Sequence, residues 1–468
     1  MDTNWLPDLS QQEGPKYQVL AQSLRAAIRS GELAEGDRLP PVRELAWRLH
    51  MTPGTVSRAY AIVTGEGLLE GTVGRGTFVA ARMPALGARQ PMHVEIPPER
   101  LQRRGLVDLR SPQLPEVGQT EAMRQAMIRI AGQMGSDWLE YPTLRRDGPL
   151  REAMAAWVAE RDLGPVTAED IVPTSGGQHS INLVLQCCLR GERPAVLTEE
   201  LSYPGFRHAI RLNRGEAVPV RLDGEGMRAD QLAAACRRTG ARLVIVTPEA
   251  QNPTTVCMSL DRRREIVAMA RRHDLQILED DCYSMPSTDL PSLRAMAPER
   301  VWHVTSFSKT LSAGLRAGMI VAPKGMGEAA RLAAQHAFFG LAQPVSALVQ
   351  DLVGSGRARA LREAVNAVYA RRLEIAARAL APYGPSLQPG LSFLWLAMPQ
   401  GWRASTFTRE AEAEGVLIRS ADEYALVDGH APNAVRIAIA GSVAEERFAA
   451  ACATLARVLA RPPGDLPV

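Results

Sequence analysis

From residue 195 onward, short apolar runs at 195–197, 243–247, 276–278 and 301–305 are separated by amphipathic helical stretches. Strand-length runs that alternate with helix-length segments require crossover connections, and such a chain folds as α/β with a largely parallel sheet. That unit does not account for all 468 residues. At about 150 residues per domain, two or three domains are expected. An apolar share of 46% with 38 Gly and 33 Pro excludes wholesale disorder and collagen. No run approaches the roughly 18 apolar residues of a membrane span, and the first residues lack the pattern of a signal segment. A soluble, cytoplasmic protein is expected. The six cysteines form no C-x-x-C pair and the eight histidines no i, i+4 pair, so neither a disulfide framework nor a metal site is expected.

Charge is distributed unevenly. Residues 15–104 hold thirteen Lys/Arg against eight Asp/Glu, an excess of five in a chain whose net charge is +3. A solvated basic face gives the same sum as a nucleic-acid surface, so the excess needs a motif to interpret it. Residues 16–30 carry Tyr17, Leu20, Ala21, Leu24, Ala27 and Ile28 at helical spacing, with Gly31 as a stop. A short helix over 42–49 follows, and then Thr52-Pro53, an N-cap hydroxyl and a first-turn proline, opens a third helix to about residue 66. On that helix Val56, Ala59, Tyr60 and Val63 share the inward stripe, which leaves Thr55, Ser57 and Arg58 exposed near its start. Residues 68–79 read as a β-hairpin with Arg75 at its glycine-flanked tip. A helix-turn-helix needs these features to enter a major groove, and a three-helix packing motif would share them.

Residues 36–79, GDRLPPVRELAWRLHMTPGTVSRAYAIVTGEGLLEGTVGRGTFV, resemble the winged helix-turn-helix of the GntR regulators. The resemblance implies an α+β DNA-binding domain over 15–81, with Arg43, Thr55, Ser57, Arg58 and Arg75 as DNA contacts. Arg43 would position on phosphate rather than read bases. Pro41 stands where the family usually has serine. Residues 82–104, with Pro84, Pro91, Pro97 and Pro98 and no sustained period, read as a linker to a domain over 105–468.

Four polar segments in that second domain sit at strand ends or the turns after them, where ligands collect in open α/β sheets. Thr174-Ser175-Gly176-Gly177-Gln178 leads into an apolar helix over 181–189 and could cradle an anion or be only a turn. Glu279-Asp280-Asp281-Cys282-Tyr283 could bind a metal, pair with arginines or hold a cationic ring nitrogen; structural pairing is the unaided preference. The run from Ser306 to Gly318 places Lys309 among small hydroxyl residues, seven ahead of Arg316, as suits a Schiff-base amine beside a phosphate site or a surface loop. Gln251-Asn252-Pro253-Thr254 makes no claim of its own.

Together and in this order the four segments resemble the fold-type I pyridoxal-phosphate aminotransferases of class I/II. With the DNA module in front, the chain resembles the MocR/GabR-type transcription regulators. The resemblance implies pyridoxal 5'-phosphate as cofactor and Lys309 as the catalytic lysine of its internal aldimine. Asp280 would hold the pyridinium nitrogen, Tyr283 and Asn252 the ring hydroxyl, and Gly177, Gln178, Ser306, Ser308 and Arg316 the phosphate. Tyr203 would stack on the ring, Arg436 would grip an effector carboxylate, and Tyr141 would reach the phosphate of a partner subunit in a homodimer. Thr255 stands in place of the glycine of the usual N-P-T-G, Ala313 in place of a frequent proline, and Arg146 in place of a glycine after Tyr141. The implied function is a regulator that binds double-stranded operator DNA and senses an amino compound by aldimine exchange at Lys309. The rival is a genuine aminotransferase with an accessory DNA-binding domain; a repressor that has lost its cofactor is disfavoured because the set of cofactor residues is complete.

Overall fold

The computed structural model describes residues 5–7, 15–72, 76–80, 105–142, 146–283, 290–426 and 431–461. Two compact units comprise Met1–Arg89 and Gln90–Val468. The hairpin tip with Arg75 and the linker expected over 82–104 lie outside the described residues.

In the first unit, α1 (Lys16–Ser30) ends at Gly31, whose φ of +82° is a conformation that glycine adopts without strain. Next come α2 (Val42–Arg48) and α3 (Pro53–Gly65), then the antiparallel pair β1 (Leu69–Thr72) and β2 (Gly76–Val79). The hydroxyl of Thr52 accepts from the Thr55 amide at 3.2 Å, the cap that the sequence predicts. Val56, Ala59, Tyr60 and Val63 are all buried, and the Tyr60 hydroxyl donates to the Pro40 carbonyl at 2.8 Å. Trp5, ahead of the expected start of this domain, joins the same core.

The second unit is built on a seven-stranded sheet. Its strands are β3 (Ile171–Thr174), β4 (Ala195–Glu199), β5 (Glu216–Val220), β6 (Leu243–Val246), β7 (Gln276–Asp280), β8 (Val301–Ser306) and β9 (Gly318–Val321). They lie in the order β3-β9-β8-β7-β6-β4-β5, and only β9 runs antiparallel to its neighbours. Strands buried on both faces read as continuous apolar runs, which is why the alternation was legible. The antiparallel strands β10 (Phe393–Ala397), β11 (Arg419–Ser420) and β12 (Ala434–Ala438) form a smaller sheet in the order β10-β12-β11. It shares an apolar core with the helices Arg357–Leu380 and Glu445–Leu459.

Several boundaries differ from the sequence reading, three of them at residues expected to hold the cofactor. The strand expected to stop at 278 continues to Asp280, because Glu279 is a buried strand residue whose carboxylate accepts the amides of Leu293 and Arg294. Ser306 is the last residue of β8 rather than part of the following loop. Helix α4 (Gly177–Cys188) starts four residues before the expected Ile181, since Gly176 at φ +91° takes the N-cap and draws Gly177 and Gln178 into the first turn. Among the described residues no helix is long and apolar enough to cross a membrane.

Candidate functional site

The C-terminal ends of β6, β7 and β8 and the N-terminus of α4 bring the expected residues together. Free amides in the first turn of α4 point toward any anion placed there. A Cβ on Gly176 would come within 2.8 Å of Arg316 Nη2, and one on Gly177 within 2.7 Å of Cys282 Sγ. Only glycine leaves that space open. Arg316, in the left-handed region at φ +51°, donates to the Ser175 carbonyl at 3.2 Å, so its charge rests over the glycine turn with only carbonyl partners among the described residues. Ser306 is buried beside Gly177, and Ser308 is half-buried two residues on. Gln178 donates to the Gly205 carbonyl at 3.1 Å while its Oε1 is buried without a partner.

The three consecutive carboxylates have separate duties. Glu279 caps two backbone amides and meets His303 Nδ1 at 3.2 Å. Asp281 pairs with Arg161 at 3.0 Å. Burial pushes the Asp281 carboxyl up to about 6, against the pull of Arg161 and His303. The pairing with arginines anticipated for the run therefore holds for Asp281, whereas Glu279 is held by backbone amides and His303. Asp280, 6% exposed, accepts from the Cys282 amide at 3.1 Å, and no arginine pairs with it among the described residues. Burial raises its pKa. It is a buried carboxylate in want of a cation, as a protonated ring nitrogen would be.

Lys309 completes the site. Its amine makes no hydrogen bond or ion pair among the described residues. Burial and the charge of Arg436 push its pKa down, with a smaller opposing effect from Cys282. Less of the amine is then protonated, which favours nucleophilic attack. Around it, the Tyr283 hydroxyl is raised by burial and lies within the fields of Arg436, Asp280, Tyr424 and Tyr203. Tyr203 is pushed up to about 12, chiefly by burial. Arg436 donates to Asn252 Oδ1 at 2.8 Å and to the Arg110 carbonyl at 2.8 Å, both neutral acceptors. Since the arginine claims the oxygen, Asn252 presents its amide nitrogen as a donor. The backbone departs from glycine at Thr255 and still takes φ +67°, with its hydroxyl 2.8 Å from that of Ser386. Tyr141 is 74% exposed and stacked on Phe339 at 5.3 Å.

This donor set fits pyridoxal 5'-phosphate. A glycine cradle with Arg316 suits a phosphate, Asp280 an unmatched ring cation, and the free Lys309 amine an aldehyde. Cys282 against the glycine turn, Arg161, Arg419 and Tyr424 were not singled out from the sequence. Nothing local marks them, because their positions follow from register and loop packing.

In the first unit Arg43, Ser57 and Arg58 are exposed. Thr55 is half-buried with its hydroxyl 2.9 Å from that of Thr52, and the Arg58 guanidinium sits 4.1 Å over the Tyr17 ring. Trp47 on α2 is 79% exposed and was also not anticipated.

Residues 106–455 match the family aminotransferase class I and II, and residues 16–79 match the bacterial regulatory proteins, gntR family. The HTH-type transcriptional regulator YdeF of Bacillus subtilis is 27% identical over 464 residues, 97% of each chain. The vitamin B6 salvage pathway transcriptional repressor PtsJ of Salmonella typhimurium is 29% identical over 426 residues, 86% of this chain and 92% of that protein. Among solved structures, LysN, the alpha-aminoadipate aminotransferase of Thermus thermophilus complexed with N-(5'-phosphopyridoxyl)-L-leucine, matches with a TM-score of 0.68 at 27% identity. That match covers 80% of this chain and 95% of LysN.

Proposed function

Because the chain belongs to the class I and II aminotransferase family and carries a GntR-family DNA-binding module, we propose that it is a pyridoxal-phosphate-dependent transcription regulator. In this reading the second unit senses an amino compound and the first binds operator DNA in the cytoplasm. The observation that carries it is the Lys309 amine, which has no hydrogen bond or ion pair among the described residues and lies within the field of Arg436, in a chain whose other unit belongs to a DNA-binding family. When bound, the cofactor supplies an aldehyde carbon that holds one amine and exchanges it for another.

The protein's own part is to position and to respond. Lys309 offers its amine and is released when a second amine takes its place. Arg436 would hold the acid group of that incoming molecule, Asp280 would keep the ring nitrogen protonated, and the first turn of α4 with Arg316 would fix the phosphate. Lys309, when set free, can take the proton that the incoming ammonium gives up, and it does so against the field of Arg436. The altered charge reaches the DNA-binding unit only if two arrangements of the protein bind the effector unequally. Arg43, Thr55, Ser57, Arg58 and Arg75 would meet the DNA, Arg43 at the phosphates. A homodimer belongs to this reading, with Tyr141 reaching the partner's cofactor phosphate. The exposure of Tyr141, Phe339 and Leu139 leaves apolar surface for a second copy.

The test uses cofactor-loaded protein and duplexes tiling the DNA upstream of its own gene, with and without a panel of amino acids and ω-amino acids, alongside a keto-acid assay. An amine that alters both the cofactor's visible band and DNA affinity, with little keto acid formed, supports the proposal. Turnover without any effect on DNA affinity would instead make the chain an aminotransferase. Lys309→Ala should abolish the band change and leave basal DNA affinity intact.

A further inference from the structure

Arg436 is not the only guanidinium on its side of the small sheet. Strands β11 and β12 place Arg419 directly opposite Arg436. Residues so paired share a face, with Cβ atoms about 4.5–5.5 Å apart, and like charges there repel. Arg436 is buried and Arg419 half-buried, and a group of opposite charge between them would relieve the repulsion.

The unsatisfied donors point the same way. The Nε atoms of Arg419 and Arg436 are both buried without a partner among the described residues. So is the hydroxyl of Tyr424, whose ring lies 4.9 Å beneath the Arg436 guanidinium. Arg436 is 4% exposed and Tyr424 2%. The register puts Arg419 on the face of Arg436, and its charge is felt at the hydroxyls of Tyr203 and Tyr424. Its one carboxylate contact, Glu423 at 2.8 Å, occupies a single donor and is 46% exposed at the rim. Arg436 has neutral acceptors and no carboxylate among the described residues. Three donors, two of them cationic, thus lie about Arg436 on the small sheet with no acceptor among the described residues.

We propose that Arg419 is a second anion-binding group of the effector site and that the effector is a short amino compound bearing two anionic groups. One of these lies on Arg436 and the other on Arg419 with the Tyr424 hydroxyl. This deepens the reading of the Lys309–Arg436 space as an effector site and rests on it. A monoanionic amine would leave the buried Nε of Arg419 still unmet, which makes it the poorer ligand.

The test separates anion recognition from amine exchange. Calorimetry of the cofactor-loaded protein with glutarate and with butyrate needs no amine. Wild type should bind glutarate at least tenfold more tightly than butyrate. Arg419→Gln should bring the two within about threefold by weakening glutarate alone, Arg419→Lys should keep part of the preference, and Arg436→Gln should weaken both acids. An unchanged visible band in Arg419→Gln confirms that its site is folded. Equal binding of the two acids, no measurable binding of glutarate, or a preference that survives Arg419→Gln overturns the proposal. L-glutamate and L-norvaline, followed through the visible band, test exchange separately. If glutarate depends on Arg419 but no amine moves the band, the exchange reading falls and the two-anion site stands. If both amino acids move the band equally in wild type and Arg419→Gln, exchange stands and the two-anion site falls.

Discussion

Replacing Asp280 by Asn should have opposite effects on the apoprotein and on cofactor binding. The carboxylate is 6% exposed, accepts one backbone amide at 3.1 Å and has no arginine partner among the described residues. Burial raises its pKa, so without a cation the charged form is disfavoured in the fold. An acid whose folded pKa is raised contributes stability at pH below its ordinary value of about 3.9, and that contribution is lost as pH rises through the folded value. Asparagine keeps the amide hydrogen bond and carries no charge. The apo variant should therefore gain on the wild type as pH rises, and be the more stable of the two near neutrality. Cofactor binding should move the other way. Removing one partner of a buried ion pair costs about 3–5 kcal/mol. Because each tenfold takes about 1.4 kcal/mol, pyridoxal-phosphate affinity should fall by roughly two to three and a half orders of magnitude. The smaller loss is expected for Asn, which can donate to an unprotonated ring nitrogen, and the larger for Asp280→Ala. Equilibrium dialysis gives the affinity, and thermal unfolding of the apoprotein across pH gives the stability difference. Unchanged affinity, or an apo Asn variant that loses ground as pH rises, would refute the reasoning.

Three further outcomes are expected. Gly177→Ala places a Cβ 2.7 Å from Cys282 Sγ; the overpacking should cost about 1–3 kcal/mol of stability, and adding Cys282→Ala should restore most of it in the same unfolding assay. Glu199, fully buried and pushed up to about 8 by burial, should make stability decline as pH climbs from the ordinary carboxylate range through that value, and Glu199→Gln should remove this part of the slope in melting temperatures taken across pH. Arg58→Ala should cost about 1–3 kcal/mol on cognate DNA and relax one base-pair preference, while Tyr17→Leu, which removes only the ring beneath that guanidinium, should leave sequence discrimination intact; isotherms on matched and scrambled duplexes decide between reading and packing roles.

Local interactions made much of this protein legible before any fold was known. The Thr52 cap, the Gly31 stop and the stripe Val56, Ala59, Tyr60, Val63 depend on neighbours within one or two turns, so the sequence contains all the information they need. The alternation of buried strands and helices was readable for the same reason, and so were the polar segments at strand ends. Which member of Glu279-Asp280-Asp281 stays free for a ring cation was not readable. That depended on His303, Arg161 and the amides of Leu293 and Arg294, brought in from other elements. The start of α4 was misplaced because a helix N-terminus at Gly177 needs Gly176 at positive φ, held under an arginine from residue 316. Arg419 carried no signal at all. It faces Arg436 only because two strands pair in one register, and a shift by one residue would have turned it to the other face. The elements and the reactive residue types were readable along the chain, since they follow from contacts between near neighbours. Which charges are neutralised and which are left for a ligand came from the packing, because it depends on partners on other elements, such as Arg161 for Asp281 and His303 for Glu279, and on burial that no local pattern records.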